Sequence, residues 1–298
     1  MTENVTQRNK IVVRKPIPKT LILDLLSKLR GHAMPVRALV AAAAVFGLRP
    51  ESVRVALVRL GERGIVTRDE RGWYRLAAAA DAVQEHVVGW RKLDERVTPW
   101  RGNWVAVHTG HLGRSERKST RRRERALHWM GFRALATHLY IRPDNLRGGI
   151  DSVRAQLLRL GLEARALIFA LTELDTAADA RARRLWDTAA LRRTYREAAA
   201  ALTSSAARLD SLPTEQAMME SFVLGGEAIR HLAHDPLLPE SIVPTAERNL
   251  LVATLRDYDR QGRTRWRTFL ESHGAPELRA PRTSPTGMWP LSMPGEFT

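Results

Sequence analysis

Residues Arg49–Leu76 read RPESVRVALVRLGERGIVTRDERGWYRL, a helix-forming run followed by two short β-prone runs. Pro50 suits the first helical position, where its missing N–H removes no helical hydrogen bond, and Glu51 complements the positive end of the helix dipole. Val53, Ala56, Leu57 and Leu60 recur at i, i+3, i+4 and i+7, which places them on one buried face. Ser52, Arg54, Val55 and Arg59 are left to point elsewhere. Gly61 and Gly64 end the helix, and Ile65-Val66-Thr67 and Trp73-Tyr74-Arg75 read as two strands joined by the turn Asp69-Glu70-Arg71-Gly72. The surface that remains when the apolar face is buried suits double-stranded DNA. Arg54 and Arg59 can reach base edges or phosphate in a major groove, with Ser52 and Val55 beside them. Arg68, Arg71 and Arg75 on the hairpin can grip the flanking backbone.

The upstream sequence supplies what such a helix packs against. Residues 1–18 read as a basic flexible arm. Thr20 caps a first helix to about Arg30, with Ile22, Leu25, Leu26 and Leu29 on one face and Gly31 as its stop. A second helix follows Pro35 and ends at Phe46-Gly47. The order helix, helix, helix, strand, wing, strand is that of a winged helix-turn-helix over residues 19–76, with Gly47-Leu48-Arg49 as the tight turn.

Charge agrees with that assignment and with its position. The 298 residues carry 48 Lys+Arg against 32 Asp+Glu, a formal net charge of +16, which favours a polyanionic partner. Residues 1–76 hold 15 basic and 6 acidic side chains, residues 77–172 hold 17 and 9, and residues 173–298 hold 16 and 17. The excess is therefore confined to the first two thirds. The absence of cysteine excludes disulfides and thiolate sites and fits a reducing cytoplasm. With no signal-like N-terminus and no run of about 18 apolar residues, the sequence predicts a soluble cytoplasmic protein with no membrane partner.

Residues 77–100 read as a helical connector. A middle domain at 101–172 then alternates strand and helix: a strand at 103–107, a helix at 114–129, a strand at 134–141, a helix at 151–160 and a strand of the buried kind at 164–171. A further weak strand near 142–150 would complete a βαββαβ, ferredoxin-like order. The run RSERKSTRRRER at 114–125, with seven basic and two acidic residues, reads as a solvated helix face that adds sequence-independent attraction to phosphate. A helical C-terminal domain occupies 173–273. It comprises one long helix through 179–209, another at 214–232, a rigid loop Asp235-Pro-Leu-Leu-Pro-Glu240 and a last helix from Pro244 to Trp266. Residues 274–298 read as a disordered tail. The expected fold class is α+β.

Several motifs now stand in a telling order. SVRVALVRLGERGIV leads to a wing ending in GWYRL, then to Trp100-Arg-Gly-Asn-Trp104-Val-Ala-Val107, then LHWMGFRAL, and finally IRHLAHDPLLPESIVP. Together they resemble the PaaX family of bacterial transcriptional repressors of phenylacetic acid degradation, over roughly residues 19–265. The resemblance implies a winged-helix domain, a Cas2-like ferredoxin fold in the middle and a helical C-terminal domain. It also implies a homodimeric repressor of a catabolic operon, released from a palindromic operator by an acyl-CoA such as phenylacetyl-CoA. Where the family's first middle-domain strand usually runs into Phe-Asp-Ile-Pro, this chain has Val107-His-Thr-Gly-His-Leu112. The acidic residue that Cas2-type nucleases use for metal is therefore absent.

Other chemistry finds little footing. His108 and His111, or His231 and His234, have spacings that suit a shared metal but lack a third ligand. There is no strand-associated GxGxxG, no P-loop and no GxSxG, so neither a catalytic residue nor a cofactor is expected and the chain reads as a non-enzyme. Arg183, Arg184 and Arg230 are the candidate contacts for a phosphate-bearing effector. The alternative reading is an RNA-binding or nuclease-like protein built on the ferredoxin-like domain, which predicts exposed sheet aromatics or clustered carboxylates.

Overall fold

The computed structural model describes residues 16–27, 29, 32–77, 89–113 and 117–276. The expected arm lies outside these residues except for its last three, and so do most of the tail and the middle of the connector. The N-terminal unit runs α1 (Pro18–Ser27), β1 (Met34–Pro35), α2 (Val36–Val45), α3 (Pro50–Glu62), β2 (Val66–Arg68) and β3 (Trp73–Leu76). Helix α1 starts two residues before the expected cap at Thr20. Strand β1, two residues long and unforeseen, pairs antiparallel with β3, Met34 opposite Tyr74 and Pro35 opposite Trp73, giving the order β1-β3-β2. Two residues are too few for an alternating pattern to register in the sequence. Its pairing straps the hairpin to the helices.

The core of this unit is shared. Leu21, Ile22, Leu25, Leu39, Val53, Leu57 and Leu60 form one apolar cluster with Phe222 of a later helix and with Trp266 and Leu270 of the last. Phe46, at the end of α2, stacks on Trp266 at 6.0 Å between ring centroids and meets the edge of Phe222 at 5.3 Å. Both distances suit favourable aromatic pairs. Arg37 Nε donates to the main-chain oxygen of His273 at 3.0 Å nearby.

After residues outside the description, Gly89–Lys92 forms a 3-10 turn and α4 (Leu93–Arg96) a single helical turn, with Trp90 buried. Then follow β4 (Trp104–His108), α5 (Arg117–Trp129), β5 (Arg133–Ala136), β6 (Leu139–Pro143), α6 (Gly149–Arg159) and β7 (Leu167–Leu171), with an antiparallel sheet in the order β5-β6-β4-β7. The strand expected over 134–141 is thus a hairpin, turning at Thr137-His138 with His138 at φ 62°. The fourth strand is β6, which shares only Arg142-Pro143 with the segment expected near 142–150; the rest bends through Gly148 into α6. Its signal was hidden because β5 and β6 together read as one apolar run. In β4 the residues Trp104, Val105, Ala106 and Val107 are all buried. Val105 and Val107 pack among α5 and α6, while Trp104 and Ala106 pack against Ala182, Trp186 and Leu238 on the other face. Strand β7 departs from its expected burial: Leu167 and Phe169 are 56% and 39% exposed, because β7 is an edge whose outer half is uncovered.

The remaining chain is helical: α7 (Thr176–Arg183), α8 (Thr188–Ala206), α9 (Thr214–Ala233) and α10 (Ala246–Ser272). The single helix expected through 179–209 is two. Trp186 turns inward between them, its Nε1 donating to Gly131 O at 3.0 Å, and Asp187 restarts the helix by accepting from Ala190 N at 2.8 Å. Helix α10 outruns its expected end at Trp266 because Leu270 continues the buried stripe. Among the described residues no helix is long and apolar enough to cross a membrane.

A buried polar knot joins sheet to helices. Arg142 donates to the main-chain oxygens of Met130, Pro143 (3.2 Å) and Pro236 (3.2 Å) and to Asn145 Oδ1 (3.2 Å), while Asn145 Nδ2 donates to Leu237 O at 2.7 Å. Burial, with Arg96 nearby, pushes the Arg142 guanidinium down to about 9, so it stays protonated at neutral pH. Gly131 holds φ 77° here, and a Cβ on it would meet Pro236 Cα at 2.8 Å, which forbids larger residues.

One ion pair within the middle unit has a pH signature. Arg123, turned inward from α5, donates to Glu163 at 2.5 Å, and this hydrogen bond is the main reason the Glu163 carboxyl sits below the usual carboxylate range. The stabilisation is complete above the unfolded pKa of about 4.3 and is lost as pH falls through the folded value. Glu163→Gln should cost about 1–2 kcal/mol at pH 7. Thermal melts across pH 2–7 should show the difference between variant and wild type closing as the pH falls below about 4.3.

Candidate nucleic-acid interface

Helix α3 begins as its sequence implies, with Pro50 at the first position after an extended Arg49, Glu51 in the first turn and Arg59 in the last. Val53, Leu57 and Leu60 are buried and Ala56 is half-buried. Ser52, Arg54, Val55, Val58 and Arg59 are all exposed, uncovered by any other part of the chain described. At roughly 100° per residue, Val55 and Val58 fall on the free face with the exposed Glu51 and Glu62, Arg54 to one side and Arg59 and Ser52 to the other. Val55 is 49% and Val58 59% exposed, so two isopropyl groups stand in water between two guanidinium groups. Val58 was missed from sequence, although its step outside the i, i+3, i+4, i+7 set already carried that signal. Arg54 lies 3.8 Å from Glu51 with both side chains mostly exposed, a contact too weak to hold it.

The helix is presented by a tight entry and a strapped hairpin. Gly47, at φ 68°, closes α2 with Gly47 N bonded to Ala44 O at 2.8 Å, and Leu48 N bonds to Ala43 O at 3.0 Å. In the hairpin Asp69 Oδ1 accepts from Arg71 N at 3.0 Å and Trp73 N at 2.8 Å, while Gly72 takes φ 78°. Thr67 lies opposite Arg75 and Arg68 opposite Tyr74. Because successive side chains alternate faces, Arg75 and Arg68 sit on opposite sides of the hairpin. Arg75 Nε donates to Thr67 Oγ1 at 3.2 Å, and Arg68 lies 5.9 Å from the Tyr74 ring centroid. Arg71 is at the exposed tip. The three wing arginines therefore do not form one row.

The candidate effector contacts have different surroundings. Arg183 Nε donates to Asp179 Oδ2 at 2.6 Å and its guanidinium covers the Trp100 ring at 4.6 Å. Arg184 is exposed just past α7, and Arg230 is exposed in the last turn of α9, its main-chain oxygen bonded to His234 Nδ1 at 2.7 Å. Among the described residues no three His, Asp or Glu cluster as a metal site. His108 and His111 stack at 5.9 Å, and His111 Nε2 meets Arg165 O at 2.6 Å.

Residues 18–80 match the family model described as PaaX-like protein. This segment is PaaX-like. The match takes in α1 through β3, and with it every candidate DNA contact. None of the curated proteins matches the chain. Among solved structures, the uncharacterized protein Rv0674 from Mycobacterium tuberculosis is similar at 24% identity and a TM-score of 0.55, over 84% of this chain and 96% of that one. That likeness shows a shared fold beyond the PaaX-like segment.

The turn that aims the hairpin depends on one carboxylate. Asp69→Ala should cost about 1–2 kcal/mol by leaving two main-chain donors without their acceptor. Amide exchange should accelerate at Arg71 and Trp73, with the helical circular dichroism unchanged.

Proposed function

We propose that this protein is a sequence-specific transcription regulator that binds double-stranded DNA through α3. The PaaX-like match supports a regulator of transcription, and the observation that carries the DNA contact is the free face of α3, where Arg54 and Arg59 flank Val55 and Val58. Arginine suits guanine edges and valine suits the thymine methyl, so such a face can discriminate bases and not only hold phosphate. Residues 19–76 act as a winged helix, with Ser52 and the wing residues Arg68, Arg71 and Arg75 on the backbone. Since Arg68 and Arg75 face opposite ways, Arg71 at the tip is the principal wing contact.

The finer reading follows the resemblance. The chain acts as a homodimeric repressor of a catabolic operon on a palindromic site, its middle unit a ferredoxin-like fold of the Cas2-like kind. It is released by an acyl-CoA effector of the phenylacetyl-CoA type, with Arg183, Arg184 and Arg230 as candidate contacts. The βαββαβ order over 104–171 supports the middle assignment. The chain is not expected to be an enzyme.

Gel shifts on a duplex selected from random sequence by the wild-type chain test this reading. Arg54→Ala and Arg59→Ala should each cost about 1–3 kcal/mol, or roughly 5- to 150-fold in affinity, and relax the selected sequence. Arg71→Ala should weaken binding to all duplexes alike and lower the salt slope by about 1. Unchanged affinity for both α3 variants would remove α3 from the interface.

A further inference from the structure

Away from α3, the exposed side of α5 and the end of the β5-β6 hairpin border a recess of about 990 Å³. Five cations line it: Lys118, Arg121, Arg122 and Arg125 from α5 and Arg133 from β5. Among the described lining residues Glu124 is the sole carboxylate. Aromatic side chains make up much of the rest, with Trp129, Phe132 and Tyr140 on the walls and floor. The sequence presented these arginines as one solvated row, but helix periodicity turns Arg123 inward to Glu163 and leaves the others around a concavity.

Among the described residues none of the five forms an ion pair, although Glu163, held by Arg123, also feels the charge of Arg122. Arg125 Nε donates to Arg121 O at 3.1 Å, and Arg133 Nη1 donates to Phe132 O at 2.9 Å, both main-chain acceptors without charge. His128 lies 3.4 Å from Arg133, and His234 packs on Trp129 at 4.9 Å between ring centroids. Burial, then Arg133 and His234, hold the His128 imidazole below its usual range. A site of this kind is short of an anion.

We propose that this recess binds a small molecule carrying several phosphates and a planar ring, the ring set against Trp129 and Tyr140 and the phosphates among Arg121, Arg122 and Arg125. Guanidinium groups match phosphate oxygens in a forked geometry, and aromatic walls hold a ring that water would otherwise solvate. A duplex backbone is the weaker fit, since phosphates on a rod-like surface need no recess with an aromatic floor. The site deepens the regulator reading and rests on it only for its consequence. His234 lines the recess at one end of α9, while Met218 toward the other end and Phe222 at mid-helix belong to the core beneath α3. A single helix of 20 residues, about 30 Å long, thus spans the two. Of the arginines singled out from sequence, Arg230 lies one turn before His234, its main-chain oxygen bonded to His234 Nδ1.

Calorimetric titration of the full chain with coenzyme A, ATP and inorganic tripolyphosphate tests the proposal. Coenzyme A or ATP should bind at least about 10-fold more tightly than tripolyphosphate, and Arg121→Glu/Arg125→Glu should weaken that binding at least about 10-fold at an unchanged melting temperature. If that variant melts early, Arg121→Gln/Arg125→Gln takes its place. Trp129→Phe should abolish a ligand-induced change in tryptophan fluorescence. The proposal is overturned if neither ring compound binds, if tripolyphosphate binds as well as they do, or if binding survives the charge changes. It is equally overturned if the charge changes abolish duplex binding alone, which assigns the recess to DNA. Duplex binding by the wild type without nucleotide tests the regulator reading separately, so the two can fail independently.

Discussion

Everything in the N-terminal unit depends on how α3 is seated. Val53, Leu57 and Leu60 are driven into a common apolar core with α1 and α2, and a helix fixed by one face has no freedom in what its other face presents. The same burial that stabilises the unit sets Val55 and Val58 in the open, with Arg54 and Arg59 beside them. Exposing two valines is a small liability on an ordinary surface helix; in the proposed DNA contact they would meet base edges. The β1-β3 pairing and the Asp69 turn then fix the hairpin at the side of that face.

That core is completed from far along the chain. Phe46 sits between Phe222 and Trp266, and the Trp266 indole donates to Met218 O at 3.0 Å, so the helices after residue 214 form part of the floor on which α3 rests. At its opposite end α9 leads into Asp235-Pro-Leu-Leu-Pro, which the Arg142 and Asn145 hydrogen bonds tie to the middle sheet. Leaving those buried carbonyls unpaired is costly, so the knot makes sheet and helices move together. In the proposed regulator this packing would link the recess beside α5 with α3.

Much of this was legible in the sequence for identifiable reasons. The α3 apolar spacing, Pro50 at the helix start and the Asp69–Gly72 turn are local signals, and each lies where the residues put it. Features that depend on distant partners were not. Met34-Pro35 is a strand only because Trp73 and Tyr74 lie alongside. Residues 133–143 split into a hairpin at Thr137-His138, a turn with no glycine, proline, asparagine or aspartate to mark it, and the helix expected through 179–209 breaks where Trp186 finds Gly131. The candidate DNA contacts on α3 were mostly readable, Val58 excepted. The recess beside α5 was not, because helical periodicity says which arginines share a face but not that β5 and His234 fold across to make that face concave.

The central claim is that the free face of α3 enters a DNA groove. The chain has no cysteine, so Val58→Cys provides a unique attachment point for an iron chelate that cleaves DNA within reach. On a duplex selected by the wild-type chain, the account predicts strand cleavage focused at the bases read by α3 and lost when Arg54 and Arg59 are both replaced by alanine. Sequence-specific binding by the labelled protein with no cleavage above background would contradict it.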